Sequence, residues 1–142
     1  TGSALPGGHS PFKKPYSLMV MQDVNYQIFT DSLWKEISMS SSNVNDKIRV
    51  LKELGLYEKK DLHPQILSGG EKQKINLARA FIREADVYIF DEPTNFLDYK
   101  SKQKVIDKIF SLKNKIILVI SHETDRSFMD KFDHIIELGT IN

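Results

Sequence analysis

The sequence predicts an α/β fold with a mostly parallel sheet, and three observations carry that prediction. Short apolar runs alternate with amphipathic stretches, the pattern of strands joined through helices. Val87 to Phe90 and Ile116 to Ile120 are unbroken apolar runs, as in strands buried on both faces of a parallel sheet. Three of the runs end in polar groups, Gln22, Asp91-Glu92 and Ser121-His122. In an open α/β sheet a ligand binds beyond the carboxyl ends of the strands, so these groups are expected to gather at one edge.

Taken in order, Thr1 to Pro11 is rich in Gly, Pro and Ser and has no periodicity, so residues 1–15 read as a linker or an expression scar. Ser17 to Met21 is the first predicted strand. From Gln22 to Ser68 the pattern becomes helical without strands. Asp31 or Ser32 caps a turn holding Leu33, Trp34 and Ile37, and Asn45 to Leu54 carries Ile48, Leu51 and Leu54 until Gly55 stops it. Glu71 to Arg83 places Ile75, Ala78 and Ile82 on one face, and Ser101 to Lys113 does so with Val105, Ile106, Ile109 and Phe110. Val87 to Phe90, Ile116 to Ile120 and Ile135 to Leu138 complete the predicted strands.

Two motifs carry chemistry. Ser68-Gly69-Gly70-Glu71 is a Ser-x-x-Glu capping box with two glycines at a helix entrance. Such an end offers backbone N–H groups and a positive dipole, and glycines leave room for a phosphate to approach. Asp91 and Glu92 follow a predicted strand directly. Adjacent carboxylates there suit a magnesium nucleotide, with Asp91 holding the metal and Glu92 positioning or deprotonating a water that attacks a phosphoryl group.

The runs Leu67-Ser68-Gly69-Gly70-Glu71, Ile89-Phe90-Asp91-Glu92-Pro93-Thr94, Asn95-Phe96-Leu97-Asp98 and Ile120-Ser121-His122, in that order, resemble the ATP-binding cassette (ABC) ATPases. Val20-Met21-Gln22-Asp23 is similar to the family's glutamine loop, so the resemblance runs from about Tyr16 to Leu138. It implies that Ser68, Gly69, Gly70 and Glu71 form the signature motif, Asp91 and Glu92 the Walker B aspartate and catalytic glutamate, Asp98 the D-loop aspartate and His122 the switch histidine. It also implies that His122 contacts the γ-phosphate and that Gln22 touches the metal or the attacking water. Within the family, Gln22 to Ser32 also resembles the energy-coupling and cobalt-type importer ATPases.

No Gly-x-x-x-x-Gly-Lys-[Ser/Thr] occurs in the chain, so the loop that cradles the β- and γ-phosphates is missing. The resemblance therefore implies an incomplete P-loop NTPase fold of the RecA-like type. Residues 16–142 are expected to be the C-terminal part of the domain, with an inserted helical subdomain at about 30–66. The implied cofactors are ATP and Mg2+, and the chain alone is expected to be inactive. The implied partners are a second ABC ATPase subunit, in a homo- or heterodimer, and a transmembrane permease. The expected location is then cytoplasmic, at the inner face of the membrane. Phe29, Ile28 and Trp34 form either a docking surface for that partner or local core.

Composition agrees. The net charge of +1 carries no electrostatic footprint for nucleic acid, and none is expected as a partner. With no cysteine, disulfide scaffolds and thiolate metal sites are excluded. No apolar run approaches the roughly 20 residues that span a bilayer. Lys72, Lys74, Arg79 and Arg83 read as a solvated helix face, and His63 and His134 as structural or surface residues. A ribosome-associated non-transport ABC protein and a non-catalytic interaction fragment are the alternative functions.

Overall fold

The computed structural model describes residues 17–20 and 28–139. Gln22, the rest of the glutamine-loop resemblance and residues 1–15 lie outside the described residues. The elements are β1 (Ser17–Val20), α1 (Leu33–Ser38), α2 (Val44–Glu53), two single turns of 3₁₀ helix (Tyr57–Lys59 and Pro64–Ile66), α3 (Gly69–Ile82), β2 (Val87–Asp91), α4 (Tyr99–Phe110), β3 (Ile116–Ile120) and α5 (Arg126–Met129).

Among the described residues the strands form one parallel sheet in the order β1-β2-β3, with Ser17 opposite Val87 and Asp91 opposite Ile120. The carboxyl ends of β2 and β3 therefore coincide, as the α/β reading requires. β2 is less enclosed than its apolar sequence suggests: Tyr88 and Phe90 are buried, whereas Val87, Ile89 and Asp91 alternate with them half-buried.

Helix starts follow local capping chemistry. The Ser32 hydroxyl accepts from Lys35 N at 3.2 Å and Asn43 Oδ1 from Asp46 N at 3.1 Å, so α2 begins ahead of the predicted Asn45. Gly55, at φ 71°, takes the left-handed turn that ends α2. His63 caps the second 3₁₀ turn through Nδ1, a structural role, and His134 is exposed.

Among the described residues one core cluster runs through both the helical stretch and the sheet. It joins Leu33, Ile37, Leu51 and Leu56 to Ile75, Leu77 and Ala78 of α3, and these to Tyr88, Phe90, Val105 and Ile109. Trp34 packs against this core with Lys47 Nζ 4.6 Å from its ring centroid, while Phe29 is exposed. Trp34 thus follows the local-core alternative.

Three further expectations need correction. Ile116 to Ile120 is not buried on both faces, since Ile116, Leu118 and Ile120 are exposed where no described element covers them. Ile135 to Leu138 is not a strand: residues 134–139 have no regular structure, and Ile136 and Leu138 are 83% and 91% exposed. A strand gains stability only from a ladder partner, and no described strand lies beside this segment. Arg79 is also not on a solvated face. Its Nη1 donates to Oε1 of the fully buried Glu36 at 3.1 Å, and Lys72, Lys74 and Arg83 are likewise only partly exposed.

Candidate functional site

Ser68 caps α3. Its hydroxyl accepts from Glu71 N at 3.1 Å and Glu71 Oε1 accepts from Ser68 N at 3.1 Å, so both halves of the capping box are made. The Ser68 hydroxyl thus already serves its own helix, while Gly69 and Gly70 hold first-turn positions whose amides have no intrahelical acceptor. Burial works upward on the Glu71 carboxyl. Hydrogen bonds from the Lys59 ammonium and the Ser68 backbone, with the lysine's charge, outweigh it and hold the group below its usual 4.5.

The two glycines differ in what they exclude. A Cβ on Gly70 would stand 2.6 Å from the carbonyl oxygen of Phe96, whereas one on Gly69 would be 3.7 Å from the Phe96 ring, an ordinary contact. Gly70 is therefore required by the packing of α3 on the loop after β2, a structural demand separate from any room left for phosphate.

That loop carries the carboxylates. Asp91 ends β2 half-buried, and Glu92 turns inward at φ 49° with only 4% of its surface exposed. The left-handed region costs a non-glycine residue about 1–2 kcal/mol. The Glu92 backbone is gripped at both ends: its N–H donates to Ile120 O at 2.8 Å, and Gln73 Nε2 donates to Glu92 O at 3.4 Å and Pro93 O at 3.1 Å. Phe96, at φ 65°, is the second strained residue of the same loop.

The parallel register sets the turn after β3 beside this loop. His122 Nδ1 lies against the buried Glu92 Oε1, so the two side chains pair across the strand ends. The imidazole itself is open to solvent, with 94% of its side chain exposed, and Ser121 Oγ accepts from Glu123 N at 3.0 Å to shape the turn that presents it. Asp98 N-caps α4 through Ser101 N at 2.7 Å, and that backbone hydrogen bond holds its carboxyl below the ordinary range. Asp91, Glu92 and His122 are thus together at the strand ends, with the Ser68 to Glu71 entrance on the helix that packs against the same loop.

The arrangement fits a magnesium nucleotide by its donor set. Among the described residues no three or more His, Cys, Asp or Glu side chains converge as a metal cage. Mg2+ needs no such cage, because it retains waters and takes one or two carboxylates plus substrate phosphates. A half-buried Asp91 beside the buried Glu92 carboxylate offers one carboxylate to a cation and one to a water.

Sequence reasoning assigned no role to Gln73 or Glu36. The signal for Gln73 is an uncharged amide one turn after Gly70, on a helix whose neighbours Ile75, Leu77 and Ala78 are core. Glu36 accepts locally from Phe29 N, Thr30 N and Thr30 Oγ1, but nothing local points to its pairing with Arg79, 43 residues away.

Residues 12–95 match the ABC transporter family. A putative ABC transporter ATP-binding protein of Treponema denticola is 40% identical over 117 residues, covering 80% of this chain and 24% of that protein. The energy-coupling factor transporter ATP-binding protein EcfA of Aster yellows witches'-broom phytoplasma is 34% identical over 136 residues, covering 90% of this chain and 49% of that protein. Among solved structures, cbiO1 from Clostridium perfringens, part of the ABC transporter complex cbiONQ, superposes with a TM-score of 0.58 at 26% identity, covering 73% of this chain and 46% of that one. The archaeal ribosome recycling factor aABCE1, solved with ribosomal stalk protein aP1, does so with a TM-score of 0.69 at 28% identity over 75% of this chain and 21% of that one. The chain spans between about a quarter and a half of the length of these two curated relatives.

Proposed function

Because this chain belongs to the ABC transporter family, we propose that it forms part of an ATP-binding and ATP-hydrolysing subunit that couples hydrolysis in a cassette dimer to transport across a membrane. The observation that carries the reading is the inward Glu92 carboxylate, buried next to Asp91 and paired through Oε1 with His122 where β2 and β3 end together.

In this reading Asp91 holds Mg2+ and Glu92 accepts a proton from, or orients, the attacking water. His122, with its imidazole open to solvent, reaches the transferred phosphoryl group. Gln22, outside the described residues, contacts metal or water. Mg2+ bound with ATP supplies charge neutralisation at the phosphates. The Gly69 and Gly70 amides at the entrance of α3, with Ser68, Glu71 and Asp98, face a nucleotide held by the opposite cassette. The helical stretch at about 30–66 docks a transmembrane permease, with exposed Phe29 on the docking side, which places the subunit at the inner face of the membrane.

The test is made in the complete cassette. Glu92→Gln is expected to keep nucleotide affinity and to lower turnover at least about a hundredfold. Asp91→Asn is expected to weaken magnesium-dependent binding itself. Equal losses of binding in the two variants would overturn the separate roles. The likeness to aABCE1 favours a second reading as a ribosome-associated protein, for which co-sedimentation with ribosomes instead of permease-containing membranes is the discriminating result.

A further inference from the structure

We propose that Gln73 is a positioning residue for Glu92, acting as a clamp that holds the strained turn after β2 against α3; the inference rests on the ATPase reading above. Gln73 is fully buried, and its side-chain amide donates to two successive carbonyls, Pro93 O at 3.1 Å and Glu92 O at 3.4 Å. The orientation of the amide follows from these partners. Turning it over would set its oxygen against two carbonyl oxygens, which donate nothing.

Gln73 and Gly70 lie one helical turn apart, and both meet the backbone of the same loop, Gly70 at Phe96 O and Gln73 at Glu92 O and Pro93 O. With the bond from Glu92 N to Ile120 O, the glutamate's peptide units are fixed on both sides of a φ of 49°. That dihedral turns the carboxylate inward toward His122 instead of along the strand. Glu92 O also accepts from Asn95 N at 3.2 Å, so α3, the helix whose entrance bears Ser68 to Glu71, shares the hold on the Glu92 turn with the loop's own bond and with β3, and Gln73 adds the tie to Pro93 O.

Stability alone does not call for a glutamine here. Gln73 Oε1 is buried with no hydrogen bond, and a half-satisfied buried amide is no better than an apolar side chain of the same shape. Keeping the amide at this position makes sense where its two donor bonds set a geometry that the reaction requires.

The experiment compares the complete cassette with its Gln73→Met variant in four measurements: kcat, ATP dissociation constant, melting temperature, and amide hydrogen exchange in residues 92–97. The clamp predicts a kcat lowered about tenfold or more, ATP affinity within about twofold, an unchanged or higher melting temperature, and faster exchange confined to the loop. Gln73→Glu is expected to recover turnover relative to the parent as pH falls, since only a protonated carboxyl can donate to Pro93 O. A kcat within about twofold of the parent, exchange in residues 92–97 that does not change, or a melting temperature that falls in step with kcat would each overturn the proposal. If the parent shows no ATP turnover, the ATPase reading fails by itself, and the exchange comparison alone decides the clamp: unchanged exchange overturns it and faster loop exchange supports it.

Discussion

β2 and β3 are nearly interchangeable as sequences, Val-Tyr-Ile-Phe-Asp and Ile-Ile-Leu-Val-Ile, yet they sit in opposite environments. β2 pairs on both edges, and its Tyr88 and Phe90 rings lie 6.0 Å apart at an interplanar angle of 5° within the core. The buried Tyr88 hydroxyl is satisfied, donating to Arg83 O at 2.6 Å. β3 pairs only with β2 among the described residues. Its Ile117 and Val119 reach the core, but Ile116, Leu118 and Ile120 face solvent at 67%, 51% and 46% exposure. An apolar strand is thus no measure of its own burial, because what covers each face is supplied by other parts of the fold.

The largest expected effect would break or sharpen this contrast directly. Phe90→Ala should destabilise the chain by about 3–5 kcal/mol, whereas Leu118→Ala should stay within about 0.5 kcal/mol of the parent. Urea titrations followed by the fluorescence of Trp34, the single tryptophan, measure both. Comparable losses would mean that the outer face of β3 is covered in solution.

A middle-sized effect asks whether the close packing around β2 extends to α3. Gly70→Ala must push Phe96 O away and should cost about 1–3 kcal/mol. Gly69→Ala meets only ordinary contacts and, by helix propensity, should leave stability unchanged or raise it by up to about 1 kcal/mol. The same titration reads the sign of each, and equal effects would remove the structural distinction between the two glycines.

The smallest effect lies at the solvent end of α3. The carboxyl of Glu71 is lower in the folded chain than its usual 4.5, so it contributes stability above that pH, and the contribution is lost as pH falls from 4.5 through the folded value. Its pairing with Lys59 is partly exposed, so solvent screening limits it to about 0.2–1 kcal/mol. Urea midpoints at neutral pH and below 4.5 should differ less in Glu71→Gln than in the parent. An identical pH dependence in the two would show that Glu71 contributes nothing.

Much of the site was legible in the sequence because its signals are local. The Ser68 to Glu71 capping box spans a single turn, and every bond in it joins residues three apart. The juxtaposition of Asp91 and Glu92 with Ser121 and His122 followed from one topological rule, and the parallel register of β2 with β3 delivers it. Arg79 was misread because helical periodicity describes a face but not what packs on it. Glu36, buried and also accepting from Phe29 N and Thr30 N at 3.0 Å each, draws the guanidinium inward from the far end of the helical stretch. Ile135 to Leu138 failed for the complementary reason: strand propensity names a candidate, and the ladder that makes it a strand belongs to a neighbour.

The sequence by itself determined the order of the elements from β1 to β3, caps that start the helices, which polar residues stand at the strand ends, and the family. Each of these rests on interactions within a few residues or on motif spacing. Only the tertiary structure decided which charges are buried, why Gly70 cannot carry a Cβ, how Gln73 grips the Glu92 turn, and which apolar strand is covered. Desolvation and close packing depend on atoms brought together from distant parts of the chain, and no local pattern in the sequence encodes that proximity.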